Sequence, residues 1–336
     1  MNIDNLKVLC DTNGTSGDES KVREAIISML PDFCTYTVDN MGNLIVRNNK
    51  PCKEDKLALF AHMDEVGFIV TYITDDGYLY LSPVGGINNS ALFGKKVSVK
   101  GHIGLAGGKA IHQCSKEESE KIPDISDIKV DFGYKNKEQA MKDVNLGDYG
   151  YFLPDFVEFG DKMIKSKAID DRFGCLVLID ILKKADFALT AVFTVQEEIG
   201  IRGATVAASC LNPDFAIVVE STTASDLPDT ADHKKVCKLK EGAVISFMDK
   251  GTIYDHKLYT EAMALAKEKN IKAQTKTLIA GGNDAAAVHK AADGVKVITA
   301  SLPCRYIHSA SSVASCYDMD SVEKIVFELA ERYANG

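Results

Sequence analysis

His62 sits in the segment AHMDEVGF, directly after a short apolar run and two residues before Asp64. That spacing suits metal binding. An imidazole can hold a cation through one ring nitrogen while a nearby carboxylate orients it through the other N–H. A structural histidine beside a turn aspartate is the bland alternative. Asp170 and Asp171, in KAIDDRFG, close a short apolar segment where a helix should begin. Aspartate is favoured at a helix N-terminus. One of the pair can therefore cap while the other points into a cleft, where its two oxygens can bridge two cations. Glu197 and Glu198, in AVFTVQEEIG, follow a strongly apolar strand. A carboxylate near buried positions needs a partner or a cation. One of these two can bind metal and the other handle protons; otherwise both are exposed acids opening the next helix. Glu220, in FAIVVESTTASD, repeats the pattern of an apolar strand delivering an acid, with Asp226 as an alternative ligand beyond it. His308, in PCRYIHSASS, also follows an apolar strand, and its bland reading is a loop histidine.

Histidine and carboxylate donors without cysteine suit Zn, Co or Mn rather than a structural zinc site. One ion could take His62, Asp170 and Glu220, and a second Asp170, Glu198 and His308. Three ligands per ion leave a position for water or substrate. Two ions about 3.5–4 Å apart can share a hydroxide and polarise a carbonyl. Glu197 is then the spare carboxylate for proton transfer. His102, His112, His233, His256 and His289 lack such contexts and are read as non-ligands. The segment GGNDAAAVH at 281–289 reads as a tight glycine turn lining the cleft, with Asp284 near the start of a helix. Without a GxxxxGK[ST] pattern it is a poor phosphate loop. No GxSxG occurs, and no cysteine stands in a nucleophile motif.

These residues need rigid elements to bring them together, and the sequence supplies them. Ser16 and Asp18 are candidate caps for a helix at 21–30, ended by Pro31. Strands are expected at 35–38 and 43–47, and a buried one at 56–61. From 164 onward helices and apolar strands alternate: helices at 171–184, 201–209, 255–269, 283–291 and 318–333, strands at 189–195, 215–219, 243–248 and 295–300. Such βα alternation indicates a sheet covered by helices, with ligand sites at the carboxyl ends of its strands. Between them, residues 68–163 are rich in glycine, tyrosine and β-branched residues, with a hairpin turn at 75–77 and one short helix at 137–143. The fold class is thus α/β: a covered mixed sheet formed by 1–67 and 164–336, interrupted by a small β-barrel-like domain at 68–163.

Bulk properties set the limits. The chain has 336 residues, of which 46 % are hydrophobic, enough for a large core. A net charge of -9 argues against a nucleic-acid partner. The nine cysteines are irregularly spaced with no CxxC, which fits reduced core residues rather than a disulfide framework. No signal peptide or membrane span is apparent, so a cytoplasmic protein without a membrane partner is expected.

Taken together, AHMDEVGF at 61–68, IDDRFG at 169–174, QEEIGIRGA at 196–204, GGNDA at 281–285 and RYIHS at 305–309 resemble the M42 family of metallo-aminopeptidases. That family includes glutamyl and tetrahedral aminopeptidases. The resemblance spans nearly the whole chain. It implies a zinc-peptidase-like α/β domain, an inserted β domain used in oligomer contacts, peptide substrates, and homo-oligomers from dimers to dodecamers. It implies two divalent ions, with zinc foremost. One would be held by His62, Asp170 and Glu220, the other by Asp170, Glu198 and His308. Glu197 would be the general base and Asp64 the partner of His62. Glu220 departs from the aspartate common in the family, and Asn283 from its threonine; neither removes a ligand. The rival readings are a related di-metal amidohydrolase or carboxypeptidase, a two-carboxylate glycoside hydrolase, and a non-catalytic scaffold. A glycosidase gives no use for the two histidines.

Overall fold

The computed structural model describes residues 1–50 and 57–334. Its frame is an eight-stranded mixed sheet. In spatial order the strands are Thr35–Val38, Leu44–Arg47, Thr190–Thr194, Leu57–His62, Phe215–Thr223, Lys296–Cys304, Ala243–Ile245 and Ala273–Thr275. The four in the middle, Thr190–Thr194 through Lys296–Cys304, are mutually parallel; Leu44–Arg47 on one side and Ala243–Ile245 with Ala273–Thr275 on the other run the opposite way, while the edge strand Thr35–Val38 turns back to run with the centre. The buried strand expected at 56–61 appears as Leu57–His62; Lys56 and Cys52 lie outside the described residues.

Successive side chains on these strands point to opposite faces, and each face has its own core. Leu57, Leu59, Phe193, Ile217 and Val219 belong to the larger one, which includes the helices Ile169–Lys184 and Cys316–Ala334. Ala58, Phe60, Val192 and Val218 face the smaller one, packed by Ala204, Ala207 and Ala208 of the helix Arg202–Leu211. Small residues on that helix let it lie close to the sheet. Almost every inward side chain on the central strands is fully buried, contributing about 1.5–3 kcal/mol for each large aliphatic or aromatic group.

Between Leu57–His62 and the helix Ile169–Lys184 the chain builds a closed six-stranded barrel. Its strands are Gly67–Ile73, Leu79–Val84, Lys129–Asp131, His102–Gly107, Lys96–Val99 and Tyr149–Phe152. Phe68 and Phe152 meet edge to face inside it, surrounded by Leu79, Leu81, Val97 and Val99. Val157–Phe159 and Met163–Ser166 do not join the barrel; they pair with Ser312–Ser315 in a separate small sheet.

Two local expectations are corrected. Ser16 and Asp18 do not cap the helix Ser20–Met29, whose N-cap is Glu19 without a side-chain bond. The Ser16 hydroxyl donates instead to the buried Asp64, and Asp18 accepts from Tyr151. An acid buried at 0 % exposure needs donors more than a helix end in reach of water. The helix expected at 171–184 also has a different start. It begins at Ile169, but Asp170 and Asp171 have non-helical dihedrals and a cis peptide bond between them.

Candidate metal centre

Sheet register brings the first residues together. Phe60 pairs with Val218, so two residues on, His62 and Glu220 emerge level and on the same face. His62 pairs across its other side with Thr194, and Glu220 with Ser301. All lie toward the carboxyl ends of the parallel strands. His62 Nε2 is 3.3 Å from Glu220 Oε1 and 3.5 Å from Asp170 Oδ1. The other Asp170 oxygen, Oδ2, is 3.5 Å from His308 Nε2, which is 3.3 Å from Glu198 Oε2. Asp170 thus stands between two imidazoles, one oxygen toward each.

Backbone conformations off the common regions surround these groups. Ala168, Gln196, Ile201, Tyr306 and His308 all have positive φ, between 54° and 62°. Such strain persists where the surroundings over-determine it. Around His308 they do so through Arg305 and Val313, whose backbones exchange hydrogen bonds of 2.9 and 3.0 Å and pin the loop at its base.

Asp64 ties the set together. Its Oδ1 accepts the Glu197 N–H at 3.0 Å, and its Oδ2 accepts the Glu198 N–H at 3.1 Å and the Ser16 hydroxyl at 2.6 Å. Oδ1 also lies 3.4 Å from His62 Nδ1. One carboxylate therefore fixes both adjacent glutamates by their backbone and faces the back of the histidine.

Whether these residues suit cations can be tested on their geometry. Donors about 2.05 Å from a tetrahedral ion are separated by edges of about 3.3 Å. The four N···O separations at the site are of that size, and they are long for direct hydrogen bonds. Asp170 Oδ1 is buried and has no hydrogen-bond partner. Among the described residues, two groups of His, Cys, Asp or Glu bring one ligand atom each within 4.8 Å of the others: His62 with Asp171 and Glu220, and Asp170 with Glu198 and His308. Asp171 accepts the backbone N–H groups of His62 and Gly174. The donor set fits divalent cations.

The charge balance points the same way. Burial pushes Glu220 up to about 8 and Glu198 to about 7, with the Asp170 charge adding to both. Burial also raises Asp171 and Glu197 well above the carboxylate range, helped in each case by Glu220. Asp284, whose Oδ2 accepts from Thr194 at 2.5 Å, rises to about 6 through burial. For the imidazoles burial works downward, but Glu220, Asp170 and Asp64 outweigh it at His62, and Asp170 and Glu198 at His308, which rises to about 9. Asp170 itself is held low despite burial, by the two imidazoles. The pocket gathers more carboxyl groups than its two imidazoles can balance, so burial and mutual repulsion favour their protonated forms.

Of the residues singled out from sequence, His62, Asp64, Asp170, Glu197, Glu198, Glu220 and His308 converge here. Asp226 does not: its oxygens take Arg305 at 2.6 and 2.9 Å and the Leu239 N–H at 3.0 Å. Sequence reasoning missed a buried charge network just behind the site. Lys167 Nζ lies 2.6 and 2.8 Å from the two Glu65 oxygens. Arg172 donates to the Met63, Thr12 and Leu9 carbonyls and to Glu65. Each of the three charged residues adjoins or nearly adjoins a candidate ligand in sequence, a signal that was available.

The M42 glutamyl aminopeptidase family matches residues 42–325, most of the chain. This chain belongs to the M42 peptidase family. It is 31 % identical to the lysyl aminopeptidase of Pyrococcus furiosus over 97 % of its own length and 96 % of the relative's. It is 30 % identical to the glutamyl aminopeptidase of Lactococcus lactis, over 94 % and 92 %. The TET1 peptidase of Pyrococcus horikoshii, described as assembling into a tetrahedron or a large octahedral shell, superposes with a TM-score of 0.88 at 33 % identity, covering 98 % of each chain. This M42 enzyme is an aminopeptidase, a hydrolase of peptide bonds. The family is metal-dependent, and the two groups above could hold ions. No helix among its described residues is long and apolar enough to cross a membrane.

Proposed function

We propose that the enzyme removes N-terminal residues from peptides with two divalent ions, zinc foremost and cobalt or manganese as alternatives. His62, Asp170 and Glu220 would hold one, and Asp170, Glu198 and His308 the other. Bound there, the ions would lower the pKa of a water molecule, stabilise the developing oxyanion and receive the free α-amine of the substrate. The observation that carries this reading is Asp170, a buried carboxylate with one oxygen 3.5 Å from each imidazole.

Glu197 lines the same cavity as His62, Asp170, Glu220 and His308 but belongs to neither ligand group. Its carboxylate takes a proton from the attacking water and returns it to the leaving amine. Asp64 holds the Glu197 backbone through its carboxylate, and its own backbone carbonyl, 3.1 Å from His62 Nδ1, orients the ring, so proton acceptor and ligand are positioned by one residue. The two imidazoles argue against a two-carboxylate glycosidase, which has no use for them.

We assign residues 1–67 and 164–336 to the catalytic domain and 68–163 to an inserted domain that contacts other copies of the chain. The barrel exposes Phe93, Ile103, Leu105 and Ile122, and the TET1 relative is a large assembly. The eight described cysteines are free, in keeping with a reducing, cytoplasmic location.

The test is metal-stripped protein reconstituted separately with Zn, Co and Mn, then offered peptides with a free or an N-acetylated amino terminus. Hydrolysis restricted to free-amine substrates and dependent on added metal is expected. Equal cleavage of acetylated peptides, or full activity after stripping, would overturn the proposal.

A further inference from the structure

The loop that carries Glu197 and Glu198 leaves the sheet at Thr194 and precedes the helix Arg202–Leu211. Neither element takes up its amides. Side chains do so, with one acceptor atom for each of four successive N–H groups. Val195 donates to Asn43 Oδ1 at 3.0 Å, Gln196 to Glu19 Oε1 at 3.1 Å, Glu197 to Asp64 Oδ1 at 3.0 Å and Glu198 to Asp64 Oδ2 at 3.1 Å. The carbonyls close the loop on itself: Val195 accepts from Gly203, Gln196 from Arg202, and Glu197 from Gly200 and Ile201. Gln196 is the joint of this turn. Its φ is 57°, a left-handed conformation that a non-glycine residue keeps only where its surroundings impose it.

Glu19 stands 177 residues from Gln196. It opens the helix Ser20–Met29, and its backbone carbonyl accepts the Arg23 N–H. A side chain at that position ordinarily accepts from its own helix, but that of Glu19 makes no such bond. Its Oε1 accepts the Gly17 N–H at 2.8 Å and the Gln196 N–H instead, and the residue is 5 % exposed. The chain just before it is fastened too: the Gly14 N–H donates to Glu65 at 3.0 Å, the Ser16 hydroxyl to Asp64, and Asp18 accepts from Tyr151. Burial raises the Glu19 carboxyl; the Gly17 N–H works against that and the Asp64 charge adds to it. What the position uses is therefore an acceptor of the right reach rather than a charge.

We propose that Glu19 is a positioning residue for peptide hydrolysis: by accepting the Gln196 N–H it sets the backbone from which Glu197 reaches the attacking water. This rests on the reading of Glu197 as the proton carrier. Such a group must lie within hydrogen-bond reach of the proton that it takes, and Gln196 is bonded directly to it. Without the Glu19 acceptor the left-handed joint loses its outside hold, and the Glu197 side chain moves with it. His62, Asp170, Glu220 and His308 stand on other segments, and Asp64 still holds Glu198, so the metal groups stay in place.

Two variants separate reach from charge. Glu19→Asp keeps the charge and falls one methylene short of Gln196; Glu19→Gln keeps the length and an acceptor oxygen and loses the charge. Both would be assayed, zinc-saturated, on p-nitroanilides of Glu, Leu and Lys, using the substrate that wild type cleaves fastest. Glu19→Asp should lose about 10- to 100-fold in kcat, as expected for a small misplacement of a reacting group. KM and zinc affinity should stay within about threefold, and Glu19→Gln should recover most of the loss. A double-mutant cycle with Glu197→Gln gives a readout that general destabilisation would not: Glu19→Asp should cost nothing further once Glu197 is gone. Wild-type kcat in Glu19→Asp, a loss that follows zinc affinity, an equal loss in Glu19→Gln, or a full further loss in the double variant would overturn the proposal. If Glu197→Gln itself turns over like wild type, the proton-carrier reading fails separately. Amide exchange across residues 195–203 then decides the role of Glu19: faster exchange in Glu19→Asp than in Glu19→Gln supports its hold on the loop, and equal exchange refutes it.

Discussion

Asp64→Asn is nearly isosteric but cannot reproduce the contacts of the carboxylate. Oδ1 accepts the Glu197 N–H and Oδ2 accepts the Glu198 N–H, each near 3 Å. An amide has one oxygen, so either orientation points its NH₂ at one of those backbone donors. With nitrogen at the Oδ2 position, the Ser16 hydroxyl can rotate and accept, but Glu198 N–H is stranded. With nitrogen at Oδ1, Glu197 N–H is stranded and a second donor faces His62 Nδ1. A buried donor left without an acceptor costs about 1–3 kcal/mol. Removing the charge behind a ligating histidine lowers metal affinity by about 10–100-fold, or about 1.4–2.7 kcal/mol. Displacement of Glu197 adds a kinetic penalty that saturating metal does not repair, roughly 10²-fold for a shift on the order of 1 Å. The assay is competitive zinc titration of stripped protein against a chromophoric chelator, followed by kcat at saturating zinc. Ser16→Ala, which keeps both N–H contacts, should weaken zinc binding by less than about tenfold. If Asp64→Asn binds zinc and turns over within about threefold of wild type, the argument from its acceptors is wrong.

Other expectations follow from the same site. Glu197→Gln should retain zinc while kcat falls by about 10²–10⁴; unchanged turnover with both ions present would remove it as the proton carrier. Glu220→Gln should weaken metal binding in the same titration while Asp226→Asn should not, since Asp226 is committed to Arg305; the reverse order would transfer the ligand role to Asp226. Breaking the buried Lys167–Glu65 pair with Lys167→Met should cost about 3 kcal/mol in urea unfolding. Adding Glu65→Gln should recover part of that, with an interaction energy of about 1–3 kcal/mol across the cycle; strictly additive effects would show that the pair is not coupled.

Much of the candidate site was legible because its residues follow apolar strands. A run such as LALFAH or FAIVVE announces a buried strand, and an acid or histidine at its end must find a partner. The register that sets His62 level with Glu220 follows from those strands lying side by side, which sequence pattern implies without stating the neighbours. Other features depend on distant parts of the chain. Spacing alone left Glu220 and Asp226 as alternatives; Arg305, far along the sequence, takes Asp226 out of the site. Ser16 looked like a helix cap because nothing local revealed the acid it would meet.

The two metal groups are built on unequal supports. His62, 2 % exposed, is the last residue of a central strand, whereas His308, 38 % exposed, rides on a loop with its backbone at a φ of 58°. Ions held by these groups would not exchange alike. An ion at the strand-borne position would resemble a permanent fitting, filled as the protein matures and emptied only with difficulty. The loop-borne position is open to solvent and should equilibrate with the surrounding metal pool. On gradual chelation, loss of half the zinc should therefore precede loss of the rest. The identity of the more labile ion would then record what the medium offers rather than what the fold selects.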